Sequence, residues 1–328
     1  MNKISFGQFA SLLLASDAFA LICYSDKISL VTLWGFLISI LIQFIISLFL
    51  IKKDIPSDNK FLLCIYLLCA VIWGALLFIR VWNISEAIYI PVPKIKFLSE
   101  NLIISALIAV VCLYASSPGI KAVSRASVIT AGFGVFCFIT ILFGSFKNID
   151  KSNLFISSQS GISNQILSGL AVGGSFCTLP FLISRLKGSK IKSTVFYFIC
   201  RSVFYTAVII LTLLVAGGIM QITKFPVIRA VELCQPFSTQ RIDSLFIIVL
   251  VILAVMGISV QTVTASQITE IIFPKFRRFK STVIIIAMIL FSLLLGKTNI
   301  YSTAYSLIFI IPPVLTVLFM IVKKEHKR

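Results

Sequence analysis

Charge is scarce in this chain, and acid is scarcest: of 328 residues 11 are Asp or Glu, 29 are Lys or Arg, and one is His. That shortage excludes most enzyme chemistry. His326 lies in a basic tail, no two acids stand at a metal-ligand spacing, and no nucleophile has a base beside it, so neither catalysis nor a metal or other cofactor is expected. The eight cysteines form no CxxC pair and no disulfide framework. Cys23, Cys64, Cys69, Cys112, Cys137, Cys177 and Cys200 lie in or beside apolar stretches, and Cys234 falls in a connector. The net charge of +18 is scattered through short connectors rather than gathered into a stripe, which excludes nucleic acid and leaves membrane lipids, anionic ones above all, as partners. Also missing is any soluble-looking stretch longer than about 30 residues, so one membrane domain over 1–328 is expected rather than the two that length suggests.

What fills the chain is hydrocarbon. Hydrophobic residues make up 59% of it and the mean hydropathy is +1.08. Ten apolar segments stand at approximately 4–23, 28–51, 61–80, 97–115, 126–146, 162–184, 194–220, 244–268, 281–296 and 300–322. About 20 helical residues cross a bilayer core of about 30 Å, where no water satisfies bare backbone. The fold expected is therefore all-α and integral to the membrane, with ten spans. Met1 to Gln8 has neither a basic run nor a small-residue cleavage site after its apolar stretch, so the first span reads as retained. Lys and Arg stay on the cytoplasmic side. With both termini inside, 18 basic residues fall on the inner face and ten on the outer, while Arg201 lies within a span. The prediction is a multi-pass protein with both termini cytoplasmic.

Function is sought where spans break or carry ionisable groups. The sixth span contains Gly169-Leu170-Ala171-Val172-Gly173-Gly174-Ser175-Phe176-Cys177-Thr178-Leu179-Pro180. Adjacent glycines uncover the backbone and Pro180 removes a donor, which predicts a discontinuous helix able to hold a carboxylate or cation. The Gly169–Gly173 spacing equally suits close helix packing. Asp17 stands in Ser16-Asp17-Ala18 within the first span, where an acid costs a few kcal/mol unless it is protonated, paired or wet. It suits the amino group of a small zwitterion, a cation or a proton, or a place at the outer mouth. Arg201, about eight residues into the seventh span, either snorkels to the interface or meets an internal carboxylate or anion. Ser259, Thr262 and Ser266 share a face of the eighth span, lining a path or cross-linking helices.

Two connectors matter as well. Pro226 can start a short outer helix with Arg229 and Glu232 at i, i+3, closing over a mouth or lying on the bilayer. Trp82 to Lys96, with Pro91 and Pro93, reads as an outer-surface segment. Spans one to five and six to ten are equal in number and opposite in direction, as an inverted repeat requires. That symmetry rests on counting and placement.

With those residues in view the sequence resembles the endospore germination permease family, the B-type membrane subunits of spore nutrient germinant receptors, in the amino acid/polyamine/organocation transporter superfamily. The resemblance covers most of the length. It is carried by Lys3-Ile4-Ser5 with Gln8, Tyr89-Ile90-Pro91-Val92-Pro93, Gly119-Ile120 with Arg125, the glycine-rich sixth span ending at Pro180, and Phe225-Pro226 followed by Arg241-Ile242-Asp243-Ser244-Leu245-Phe246. It implies a LeuT-like 5+5 inverted repeat with helices 1 and 6 discontinuous around a central pocket. Carried over by position, that pocket is lined by Ser16, Asp17, Ala18, Gly173, Gly174, Ser175, Phe176, Ser259 and Thr262. The resemblance further implies a small nutrient ligand, commonly an amino acid, with A-type and C-type subunits as partners in the spore inner membrane. An amino acid symporter driven by protons or sodium is the alternative. Helix 1 departs from the pattern in lacking a glycine where it should unwind.

Overall fold

The computed structural model describes residues 3–51, 59–88, 97–155, 161–221, 223–234, 243–274, 280–296 and 308–325. All its named elements are helices: α1 (Phe6–Ile22), α2 (Leu30–Ile51), α3 (Lys60–Ile88), α4 (Phe97–Ser116), α5 (Ile120–Ser145), α6 (Ile162–Val172), α7 (Leu179–Ile183), α8 (Lys190–Ala216), α9 (Pro226–Leu233), α10 (Asp243–Ile272), α11 (Lys280–Gly296) and α12 (Ile311–Glu325). Five described stretches are long and apolar enough to cross a membrane: Leu30–Ile51, Lys60–Glu86, Ile120–Asn148, Lys190–Met220 and Leu245–Ile272. Shorter apolar helices, α1, α6 and α11 among them, pack between these.

Helix starts follow local chemistry. Ser5 and Gln8 make a reciprocal capping box at α1, the Ser5 hydroxyl accepting from the Gln8 N–H at 3.4 Å and the Gln8 Oε1 from the Ser5 N–H at 2.9 Å. Gly119 opens α5 at φ 85°, and Gly217 ends α8 at φ 46° with its Cα against the Asn153 side chain; a side chain at either is strained. Just ahead of α1, Ile4 pairs with Leu186 in the segment after α7, its N–H donating to the Arg185 carbonyl at 3.0 Å and its carbonyl accepting from the Lys187 N–H at 2.9 Å.

Burial separates a centre from a periphery. Thirteen of α1's 17 residues are buried, so this helix is enclosed by protein. By contrast α4 and α5 turn Leu107, Val110, Tyr114, Phe133, Phe136 and Phe143 outward, the apolar surface a bilayer would cover. α2 and α6 approach closely: a Cβ on Gly35 would stand 2.5 Å from the Gln165 Cβ, and one on Gly169 would meet Ser39 and the Phe36 backbone. Gly35→Ala is expected to cost about 1–3 kcal/mol through overpacking against an unyielding backbone. A thermal-unfolding comparison of the purified variant would check it, and an unchanged midpoint would refute the close approach.

Two expectations need correction. α1 runs unbroken from Phe6 to Ile22, with no unwinding at Ser16-Asp17-Ala18. Its one glycine, Gly7, sits in the first turn and it holds no proline, and Asp17 finds side-chain partners without any need of freed backbone groups. Second, Trp82 to Ile88 is not a surface connector but the last two turns of α3, with Trp82 and Ile84 buried. Pro91 and Pro93 lie outside the described residues, as do the rest of Tyr89 to Lys96, Arg241-Ile242 and the start of the tenth predicted span.

Candidate functional site

The sixth predicted span is broken where its glycines stand. α6 ends at Val172, Gly173 caps it, a 3-10 turn occupies Gly174–Cys177, and α7 resumes with Pro180 in its first turn, where a missing N–H costs nothing. The freed backbone is partly repaired from nearby. The Gln43 Nε2 of α2 donates to the Gly173 carbonyl at 3.3 Å, and the Thr178 hydroxyl donates to the Ser175 carbonyl at 2.8 Å. Both sequence readings of the glycines hold, at different positions. Gly169 packs α6 on α2, whereas Gly173 and Gly174 form the break.

Beside the break lies a buried ionic network. Asp17 on α1 is fully buried, with Oδ1 accepting from the Ser175 hydroxyl at 2.5 Å and Oδ2 from the Tyr197 hydroxyl at 2.5 Å. Arg201 on α8 is also fully buried, its Nε 3.3 Å from the Asp17 Oδ2. Its Nη1 donates to the Gln43 Oε1 at 2.6 Å and to the Tyr197 hydroxyl at 3.3 Å, while the guanidinium lies 5.1 Å from the centre of the Tyr205 ring. The snorkelling and outer-mouth alternatives are thereby overturned. Two opposite charges in a low-dielectric interior hold each other in place, and each gains further hydrogen bonds that offset its lost hydration. One network thus ties α1, α2, α8 and the break.

The glycines give this network its room. A Cβ on Gly173 would run into the Arg201 guanidinium, and one on Gly174 into the Trp73 indole of α3. That indole donates through Nε1 to the Ser16 hydroxyl at 3.1 Å. Of the pocket residues expected, Ser16, Asp17, Gly173, Gly174 and Ser175 therefore meet at the break, and Phe176 is buried next to them. The others stand apart. Ala18 lines a separate apolar cavity on another face of α1. Two of the α10 hydroxyls turn toward α11: Thr262 donates to its own Ile258 carbonyl at 2.9 Å and lies 3.9 Å from the Met288 sulfur, and Ser266 meets Ser281 at 3.2 Å. Ser259 lies on α10 and is fully buried.

Gln43, Trp73, Tyr197 and Tyr205 went unnoticed in the sequence. For the tyrosines a signal existed, because Tyr197, Arg201 and Tyr205 recur at i, i+4, i+8 and so share one stripe of α8. Gln43 was a lone amide in an apolar helix, and nothing distinguished Trp73.

The outer helix expected after Pro226 is α9, in which Arg229 and Glu232 pair at 2.5 Å. Its apolar face is buried, with Val227, Ala230 and Val231 roofing the apolar cavity rather than lying on a bilayer.

The fold is shared with solved transporters. The nucleobase-cation-symport-1 family transporter Mhp1, closed with bromovinylhydantoin bound, superposes with a TM-score of 0.64 at 13% identity, over 96% of this chain and 78% of its own. A Na+-coupled sialic acid symporter in a substrate-bound outward-open state gives a TM-score of 0.58 at 15% identity, with the same coverage. No curated protein matches the sequence. A family model described as spore germination protein matches residues 60–301, a span that holds Ser175, Tyr197 and Arg201 and begins after Asp17.

Proposed function

Because this chain belongs to the spore germination protein family, we propose that it is the membrane subunit of a germinant receptor that binds an amino acid between α1, the α6–α7 break and α8. The observation that carries this reading is the buried Asp17–Arg201 pair set against that break. An amino acid zwitterion is itself a fixed pair of opposite charges. It can replace the internal pair end for end, its ammonium on Asp17 and its carboxylate on Arg201, without leaving net charge in the interior. Sugars and nucleosides offer no such exchange. Parting Asp17 from Arg201 would release α1 from α8, which gives a ligand two helix arrangements to choose between. It acts through its different affinity for the two.

In this proposal the chain crosses the membrane ten times as two inverted five-span halves, α6 and α7 together making the sixth crossing, with both termini cytoplasmic in the spore inner membrane. A-type and C-type subunits read the change. The pocket comprises Ser16, Asp17, Gly173, Gly174, Ser175 and Phe176, with Arg201 added; Ala18, Ser259 and Thr262 would join it only if α1 or α10 moved.

The test is thermal stability of the detergent-solubilised protein, alone and with its partner subunits, against amino acids, sugars and nucleosides. A ligand that binds the folded state at 100 times its Kd adds about 2.7 kcal/mol. Selective stabilisation by one or a few amino acids is expected. Stabilisation only by sugars or nucleosides, or by nothing when the partner subunits are present, would defeat the proposal.

One observation favours a second reading, amino acid symport. Gln261 on α10 is fully buried, and neither polar atom of its side chain has a hydrogen-bond partner among the described residues, so an ion or water could be held there. Gradient-driven uptake of a labelled amino acid by proteoliposomes would establish transport, and uptake indifferent to sodium and proton gradients would remove it.

A further inference from the structure

α5 and α8 both pack on α1 and leave a crevice between them, with α1 as its floor. Two cavities make up this crevice. One, of about 180 Å³, lies beneath α9, and the other, of about 570 Å³, reaches toward the α1 N-terminus. They meet at Ser11, Leu14 and Ala131, which line both. From Ser5 to Ile22 the floor runs about 26 Å at 1.5 Å per residue, close to the about 30 Å of a bilayer core.

Polarity changes along the crevice. At one end stand Ser5, Gln8 and the exposed Arg125, whose guanidinium pairs with no described acid. Toward α9 the lining is hydrocarbon, and its few hydroxyls are already engaged: Ser11 with Ser127 at 3.0 Å, Thr130 with the Ala126 carbonyl at 3.0 Å, and Thr212 with the Val208 carbonyl at 2.7 Å. A zwitterion would find no partner there. The walls are open to the side, with Val128, Val135 and Phe196 exposed where a bilayer would lie.

We propose that this crevice holds one acyl chain of an anionic phospholipid, with its phosphate at Arg125 and its tail among Ala15, Ala18 and Gly134. The inference rests on the chain spanning a bilayer and is independent of which nutrient binds. One charged end, one apolar run and a sideways opening match a lipid and no water-borne solute. The tail would press on the face of α1 that carries Ala15 and Ala18, away from Asp17. A filled crevice would then favour the arrangement in which Asp17 and Arg201 are paired.

Native mass spectrometry of the purified full chain, titrated with phosphatidylglycerol or phosphatidylcholine of matched tails, tests this. Wild type is expected to retain one phosphatidylglycerol and to bind phosphatidylcholine about tenfold more weakly. Arg125→Gln should abolish that preference. Gly134→Leu should weaken both lipids about tenfold by filling the crevice. It should also fold, because a Cβ at Gly134 meets nothing within 4 Å. Equal binding of both lipids by wild type, or undiminished retention by folded Gly134→Leu, would overturn the proposal. So would a photo-crosslinker at position 134 that captures a polypeptide in native membranes, which would make the crevice a groove for a partner helix.

Discussion

Arg201→Gln is expected to lose about 3–5 kcal/mol of stability, the cost of leaving a buried carboxylate without its counter-charge. Asp17→Asn should also destabilise, since it strands the guanidinium, although Gln43 and Tyr197 still accept from that side chain. The double variant Asp17→Asn/Arg201→Gln removes both charges while keeping their shape and hydrogen-bonding capacity. It should recover most of the loss, because neutral replacement of a whole buried pair is often tolerated. A double-mutant cycle on unfolding midpoints measures the coupling. Additive losses would show that the two residues do not interact. If the recovered double variant also fails to be stabilised by amino acids, its fold and its response are separated in one molecule.

Gly173→Ala should do comparable damage to response at smaller cost to the fold. The backbone there, at φ −87° and ψ 32°, keeps the negative φ that residues with side chains adopt, so the main penalty is one of space. A Cβ would occupy the position of the Arg201 guanidinium and stand 2.9 Å from the Gln43 Oε1. Arg201 must withdraw, loosening its hold on Asp17 and on α2, for about 1–3 kcal/mol. Gly132→Ala is the control. That glycine is exposed on α5 with nothing within 4 Å of a Cβ, and alanine there should be neutral or gain up to about 1 kcal/mol from helix preference. Amino acid-induced stabilisation that survives in Gly173→Ala would show that Arg201 takes no part in binding.

Much of the helical frame was legible because long apolar runs leave the backbone few choices. The limits of α2, α10 and α11 fall within two residues of expectation at their starts, and Gly173-Gly174 with Pro180 marked the break. α3 runs on to Ile88, past Arg80, which had read as the end of a span and instead stacks 5.0 Å from the Trp73 ring. The site was half legible. Asp17 and Arg201 were each conspicuous as charges in hydrocarbon, yet nothing in a linear sequence relates a residue on α1 to one on α8. The supposed unwinding of helix 1 came from resemblance to other chains, and the absence of glycine from Ser16-Asp17-Ala18 was the local evidence against it. On α10 the shared face of Ser259, Thr262 and Ser266 was correctly spaced, but helical spacing does not say which neighbour that face meets.

The distance in sequence between Asp17 and Arg201 also sets a problem for synthesis. About 180 residues separate them, so at about 5–20 residues per second the ribosome needs roughly 10–40 s to deliver the arginine after the aspartate. During that interval α1 must be handed to the membrane with its acid uncompensated, a burden of about 2.5–3.5 kcal/mol on translocon insertion scales. Until α8 arrives the first helix has no settled place in the bundle, and nascent chains halted before Arg201 should be the ones that quality-control proteases remove.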